Sequence, residues 1–249
     1  MTRRQRAFLF HLLASLSVAA LAAALIFLVW YPPPLAQVSG GLNLFALLVG
    51  IDVVVGPALT ALIATPRKPQ RELWRDIALI IALQVTAFTY GMYSITLARP
   101  VLLVQSFDHL QVLSAADIDD EALKRAPPQY RHLSWHGPRL IAVRRAKTVA
   151  ESMQFLDRVI EGAGLAIQTD RWVDYSSESA VVMEQARPAA ALLESKPELR
   201  KILEDLAVAN GKTMDDLRYL PLRGRAGWCF AVIASPDARI VGYLPPTSQ

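Results

Sequence analysis

The sequence has a single cysteine, Cys229, so no disulfide can form within the chain. This cysteine lies in the apolar run WCFAVIA, where we expect a small buried hydrophobic residue. The common catalytic motifs are also missing: there is no His-Glu-x-x-His, no Gly-x-Ser-x-Gly and no glycine-rich phosphate loop. We therefore expect a protein that is not an enzyme and that holds no cofactor.

Acidic residues are scarce in the first 99 positions, which hold eight basic and three acidic residues. Residues 100–249 hold 18 basic and 19 acidic residues, so the pI near 9.3 comes from the first part of the chain. No basic stripe with interleaved aromatic residues follows in the second part. We therefore expect no nucleic-acid partner.

Histidines are few, and three of the four lie in the second part: His109, His132 and His136. The spacing of His132 and His136 would suit one face of a helix, but prolines stand close on both sides. We therefore expect no metal site.

Three long apolar stretches dominate the first part, at residues 7–31, 42–64 and 76–97. At ~1.5 Å rise per residue, each helix would be long enough to cross a bilayer core of ~30 Å. The first stretch is longer than the ~7–15 apolar residues of a signal peptide, and it ends in the aromatic pair Trp30-Tyr31. The sequence therefore predicts three transmembrane helices.

The basic residues predict the orientation of these helices. They cluster before the first stretch and in the connection at 65–75, whereas the connection at 32–41 carries no charge. The positive-inside rule places the N-terminus and the 65–75 connection in the cytoplasm. Three crossings then deliver residues 100–249 to the periplasmic side of a bacterial inner membrane.

The second apolar stretch contains one carboxylate, Asp52, among Gly50, Gly56 and Pro57. An ionised aspartate at mid-membrane costs about 2.5–3.5 kcal/mol on insertion scales, so it needs a partner or a use. The glycines let another helix approach, and Pro57 frees a backbone carbonyl one turn earlier. Two roles for Asp52 stay open: a carboxyl bonded inside the three-helix bundle, or a contact to the helix of a bound client.

The third stretch carries polar residues that could bond to neighbouring helices, among them Gln84 at mid-depth and Tyr90. Gln84 is the natural residue to face Asp52. Asp76 lies at the cytoplasmic mouth, too far from Asp52 for a shared-proton protease dyad. Arg99 ends the stretch, either as an anchor at the membrane surface or as a contact to the client.

Several motifs of this part resemble the type IV pilin accessory protein family of the TfpX/TfpZ type. They are Trp30-Tyr31-Pro32-x-Pro34-Leu35, Gly50-Ile51-Asp52-Val53-Val54-Val55-Gly56-Pro57-x-Leu59-Thr60, Leu83-Gln84, Tyr90-Gly91-x-Tyr93, Ala98-Arg99-Pro100-Val101 and Ser114-Ala115-Ala116-Asp117-Ile118. The resemblance covers residues 1–118, and it is looser near the C-terminus. His109 departs from it, since the family pattern has arginine there. The resemblance implies an inner-membrane protein that acts on a pilin before pilus assembly.

Residues 100–249 predict one periplasmic α+β domain, with strands near both ends and helices between them. Ser114 should cap a helix that runs through Arg125. Residues 148–160 predict an amphipathic helix that Gly162 stops and that carries Val149, Met153, Leu156 and Ile160 on one face.

We therefore expect a non-catalytic accessory factor or chaperone that holds or presents pilin subunits in the inner membrane. The residues expected to bind the pilin are Asp52, Gly50, Gly56, Pro57, Gln84, Tyr90 and Arg99. Membrane lipid is a further expected contact, and a homo-oligomer stays open. The alternative is a membrane-tethered sensor whose periplasmic domain binds a ligand, although the cytoplasmic segments are short and hold no output domain.

Overall fold

The computed structural model describes residues 2–63, 69–160 and 164–245. The chain divides into two compact units. The first comprises Met1–Pro32 and Gly41–Arg99, and the second comprises Pro33–Gly40 and Pro100–Gln249. The predicted division put residues 33–40 with the membrane region, whereas the structure places them in the other unit.

The first unit contains three long helices, each long and apolar enough to cross a membrane. Helix α1 spans Arg3–Leu25 and continues as a π-helical turn over Ile26–Trp30. After the short α2 (Leu35–Val38), helix α3 runs from Gly41 to Ile63, and helix α4 spans Gln70–Ala98. The three predicted apolar stretches thus form three helices, although Ala64 and the basic Arg67 and Lys68 fall outside the described residues.

Helix α3 is not regular along its length. It is α-helical over Gly41–Val49, π-helical over Gly50–Val55 and α-helical again over Gly56–Ile63. A π segment accommodates an extra residue in the helix and is common at functional positions. It coincides here with the two glycines, the aspartate and the proline that distinguish this helix in sequence.

The second unit is an α+β domain, as predicted, built on one mixed eight-stranded sheet. Its strands are β1 (Pro100–Ser106), β2 (His109–Ser114), β3 (Arg139–Val143), β4 (Trp172–Asp174), β5 (Arg187–Pro188), β6 (Leu217–Arg223), β7 (Trp228–Ala234) and β8 (Arg239–Tyr243). Its helices after α4 are α5 (Asp120–Arg125), α6 (Val149–Ile160), α7 (Ser179–Gln185), α8 (Leu192–Ser195) and α9 (Arg200–Ala209).

The strand order is β4-β3-β1-β2-β6-β7-β8, with β5 paired to β6 outside this path. Most neighbours are antiparallel, but β1 pairs with β3 and β2 with β6 in parallel. Central β1 is buried at all seven positions, because the sheet is covered on both faces. Strands β7 and β8 form an antiparallel hairpin that turns at Ser235-Pro236-Asp237-Ala238, a segment of typical turn residues.

The segment Pro33–Gly40 contributes to the core of this domain. Leu35 and Val38 in α2 are 2% and 1% exposed and pack in a cluster with Leu220, Leu222 and Cys229. The Ala226 backbone N–H also donates to the Val38 carbonyl oxygen at 2.8 Å. A domain that began at residue 100 would therefore lack part of its own core.

One predicted helix is split in two. Ser114 and Asp117 form a capping box around a single 3₁₀ turn over Ala115–Asp117, and Asp119 then caps α5. The prediction of one helix from Ser114 through Arg125 is therefore wrong. A second helix begins after Asp119, because the Asp119 side chain caps it by accepting the Ala122 N–H.

Helix α6 forms as predicted, but its apolar face does not enter the core. Val149, Met153, Leu156 and Ile160 are 78%, 64%, 57% and 83% exposed, and the predicted stop Gly162 lies outside the described residues. The helix is held through its polar face instead. Glu151 accepts from Arg144 and Arg171 at 2.7 Å each, and the Lys147 backbone N–H donates to its other oxygen.

Substitutions in α2 can test whether this helix is part of the core of the second unit. Leu35→Ala should lower the free energy of unfolding of the second unit by about 2–5 kcal/mol, because a fully buried leucine leaves a cavity. Gln37→Ala, at an exposed position of the same helix, should change it by less than about 0.5 kcal/mol. Pulse proteolysis of the full chain in detergent measures both. Equal effects of the two changes would show that α2 is not part of the core.

The Glu151 ion triad should make the domain sensitive to acid. The Arg144 bond, the Lys147 N–H and the Arg171 bond together lower the Glu151 pKa to about 2, against ~4.3 in an unfolded chain. Because the pKa is depressed in the folded state, the stabilisation is complete above about pH 4.3 and is lost as the pH falls towards 2. Glu151→Gln should therefore destabilise the domain at pH 7, and this difference should vanish near pH 2 in thermal unfolding.

The matched control is Glu121→Gln, which breaks an exposed ion pair with Lys124. Its unfolding temperature should follow that of the unaltered chain at every pH. A Glu151→Gln deficit that persists unchanged at pH 2 would contradict the ion-triad account.

Candidate functional site

A cavity of about 680 Å³ lies among the three long helices of the first unit. Its walls are mostly apolar and extend from Arg6, Gln70 and Trp74 to Leu48 and Phe88. Along α4 the lining runs from Gln70 to Phe88, a rise of ~27 Å. A few polar side chains join this apolar lining, which is the usual composition of a binding cavity. They are Arg6, His11, Ser15, Asp52, Thr60, Gln70 and Gln84.

The π segment of α3 forms part of this wall, and its backbone explains why Gln84 is there. The Gly56 N–H donates five residues back, to the Ile51 carbonyl. In the same register the next residue, Pro57, would bond the Asp52 carbonyl, but proline has no N–H to donate. The Gln84 side chain takes over this role, since its Nε2 donates to the Asp52 carbonyl oxygen at 3.1 Å.

Gly56 provides the space for this bond. A Cβ at position 56 would collide with Gln84 Nε2, so only glycine leaves room for the amide. Gly50, at the other end of the π segment, has nothing within 4 Å of an added Cβ. Of the two predicted glycines, therefore, the structure uses Gly56 for close approach and leaves Gly50 unconstrained.

Asp52 itself is 8% exposed and is the twelfth of the 23 residues of α3, at the middle of the helix. It lines the cavity, and neither of its carboxylate oxygens has a hydrogen-bond partner among the residues that the structure describes. Gln84 thus faces Asp52 as predicted: its amide donates to the backbone carbonyl and also interacts with the carboxylate, whose oxygens make no well-formed hydrogen bond among the described residues. A buried acceptor without a donor costs about 1–3 kcal/mol, more when charged.

A second polar contact was missed in the sequence. His11 Nδ1 in α1 lies 2.6 Å from Thr60 Oγ1 in α3, and both residues line the cavity. The sequence did offer a signal for this contact: His11 is an ionisable residue inside an apolar span, and such residues are rare in membrane helices. Only the packing of α1 on α3 shows that His11 lies on the same cavity as Asp52.

The two remaining predicted residues lie elsewhere. Tyr90 is 72% exposed on α4 and is not among the cavity-lining residues. Arg99 is buried, and its Nη1 donates to the Thr96 carbonyl oxygen at 2.7 Å, which satisfies a carbonyl at the end of α4. The structure brings Asp52, Gly56, Pro57 and Gln84 together, and Tyr90 and Arg99 stay apart from them.

The second unit offers little catalytic chemistry among its described residues. No group of three or more His, Cys, Asp or Glu side chains in the described ranges could hold a metal ion. Cys229 is fully buried, as predicted, and burial raises the pKa of its thiol to about 12. Such a thiol stays protonated and unreactive at neutral pH.

The family model described as fimbrial assembly protein FimB matches residues 1–40. The chain is 44% identical over 180 residues to a "Fimbrial assembly protein, serogroup I" of Dichelobacter nodosus, covering 72% of this chain and 70% of the relative. It is 37% identical over 234 residues to the serogroup E1 protein of the same organism, covering 92% of this chain and 90% of that one. No solved structure matches the chain. The resemblance seen in the motifs is thereby confirmed.

The arrangement of Gly56 and Gln84 gives a prediction with an internal control. Gly56→Ala should destabilise the helical bundle by about 1–3 kcal/mol, because Gln84 must move and leave the Asp52 carbonyl without a donor. Gly50→Ala should be neutral or slightly stabilising, since alanine favours the helix and meets no atom. Thermal unfolding in detergent measures both variants.

A double-mutant cycle identifies the cause. In a Gln84→Ala background the added methyl group meets no amide, so Gly56→Ala should cost much less than it does alone. An unchanged cost in that background would mean that Gly56 serves another contact.

Proposed function

The chain belongs to the fimbrial assembly protein family, and on that premise we propose that it is a non-catalytic accessory factor that holds a pilin in the membrane before fimbrial assembly. In this proposal the apolar helix of the pilin lies in the cavity of the first unit. Asp52 and Gln84 line this binding site, and Gly56 and Pro57 fix the position of Gln84. The protein acts as a chaperone for one membrane helix.

The observation that carries the proposal is the cavity with its buried Asp52. A bundle that served only as an anchor would gain stability by filling 680 Å³ of apolar space and by replacing an unbonded carboxylate. An amphipathic or apolar helix can fill such a groove with the side chains of one face. The retained space and the unbonded carboxylate therefore favour an occupant.

We further propose that the spans lie in a bacterial inner membrane with the N-terminus in the cytoplasm and the second unit in the periplasm. Segment 33–40 packs in the core of the second unit, so both belong on one side of the membrane. Arg6, Arg71 and Arg75 flank the opposite ends of the spans, which the positive-inside rule assigns to the cytoplasm.

Photocrosslinking from inside the cavity tests the proposal. A photoreactive residue at Val49 or Phe88, both in the cavity wall, should form an adduct with the pilin in cells that make both proteins. The control position is Leu83, which is 64% exposed on α4 and is not a cavity residue. It should give lipid adducts and at least tenfold less pilin adduct.

Equal pilin adducts from Phe88 and Leu83 would contradict a specific groove. Adducts from Val49 and Phe88 only with lipid, or only with a second copy of the chain, would exclude the pilin helix as the occupant.

A further inference from the structure

The Asp52 carboxylate has no described function inside the bundle. Its backbone carbonyl is bonded to Gln84, and the nearby His11 ring is bonded to Thr60. Both carboxylate oxygens are enclosed and without a hydrogen-bond partner among the described residues. Gln84 and His11 interact electrostatically with the carboxylate, but neither makes a well-formed hydrogen bond to it, because the amide donates to the carbonyl and the ring is bonded to Thr60.

We propose that the Asp52 carboxylate is the acceptor for a hydrogen-bond donor that the bound helix carries at mid-membrane depth. This inference rests on the proposed function and specifies how the site selects its occupant. The recognised group is a donor, such as an amine or a hydroxyl, in an otherwise apolar helix. The bond fixes the depth at which the helix is held, because Asp52 stands at the middle of α3.

The depth of Asp52 favours a helix over a lipid. A lipid acyl chain that entered the cavity would bring only methylene groups to the level of Asp52, and it would leave the carboxylate as it is now. A helix can place a polar side chain at any depth, and that side chain would itself need a partner in hydrocarbon. Two groups that are each costly alone thus satisfy each other.

The enclosure of the carboxylate also has a consequence for the empty bundle. Asp52 lines the cavity, but its oxygens are covered, so the side chain must turn towards the occupant for the bond to form. Until then the bundle bears the cost of a buried acceptor without a donor. Asp52 should therefore lower the stability of the empty protein and raise its affinity for the pilin.

Because Asp52 should lower the stability of the empty protein but raise its affinity for the pilin, substitutions of Asp52 can test this role. Asp52→Asn and Asp52→Leu in the full chain should each reduce the pilin adduct from Phe88 by about tenfold or more, because leucine offers no acceptor and the asparagine amide offers a weaker acceptor oxygen together with a donor. Both should leave unchanged or raise the unfolding temperature of the pilin-free protein in detergent. Ser17→Ala, which alters an exposed polar residue of α1 that does not line the cavity, should keep the adduct within about twofold.

Three results would overturn the inference. A wild-type adduct yield in Asp52→Asn would show that an amide serves as well as a carboxylate, and wild-type yields in both variants would show that the occupant does not bond to Asp52. A lowered unfolding temperature in both variants would make Asp52 a structural residue of the bundle. Failure of the proposed function looks different, since the unaltered chain would then give no pilin adduct from Phe88.

Discussion

One backbone carbonyl in the middle of a membrane-type helix sets the geometry of the first unit. Pro57 has no N–H for the Asp52 carbonyl, and in hydrocarbon an unbonded carbonyl costs several kcal/mol. The Gln84 amide of the neighbouring helix supplies the missing donor. Gly56 must then stay without a side chain, because that amide occupies the space a Cβ would need. Four residues on two helices are thus tied to a single bond.

The same bond also fixes part of the cavity wall. It pins α4 against the π segment of α3 at the level of Asp52. Apolar space extends from this level both towards Arg6 and Trp74 and towards Leu48 and Phe88. The bond therefore keeps two walls of the cavity in place beside space that the bundle itself does not fill.

The second unit likewise combines a closely packed part, its sheet, with an exposed apolar surface on helix α6. Its sheet is buried on both faces and even takes Leu35 and Val38 from the connection between the first two long helices. Helix α6, by contrast, is attached through the carboxylate of Glu151 and leaves Val149, Met153 and Ile160 exposed. The periodicity of α6 predicted the helix correctly, but it could not say which face meets the sheet. An ion triad with Arg144 and Arg171 decided that orientation, and the apolar periodicity of the helix carries no information about those ionic partners.

The sequence by itself determined the three apolar helices, the α+β class of the remainder and the family, because hydropathy, helix length and local motifs are properties of short segments. It also singled out Asp52, Gly56, Pro57 and Gln84, since a charge, a proline and an amide are all rare in an apolar span. Only the tertiary structure decided that Gln84 donates to the Asp52 carbonyl, that His11 shares the cavity, and that Tyr90 lies outside it. These outcomes depend on the rotation of whole helices about their axes, which is set by packing between segments that no local pattern describes.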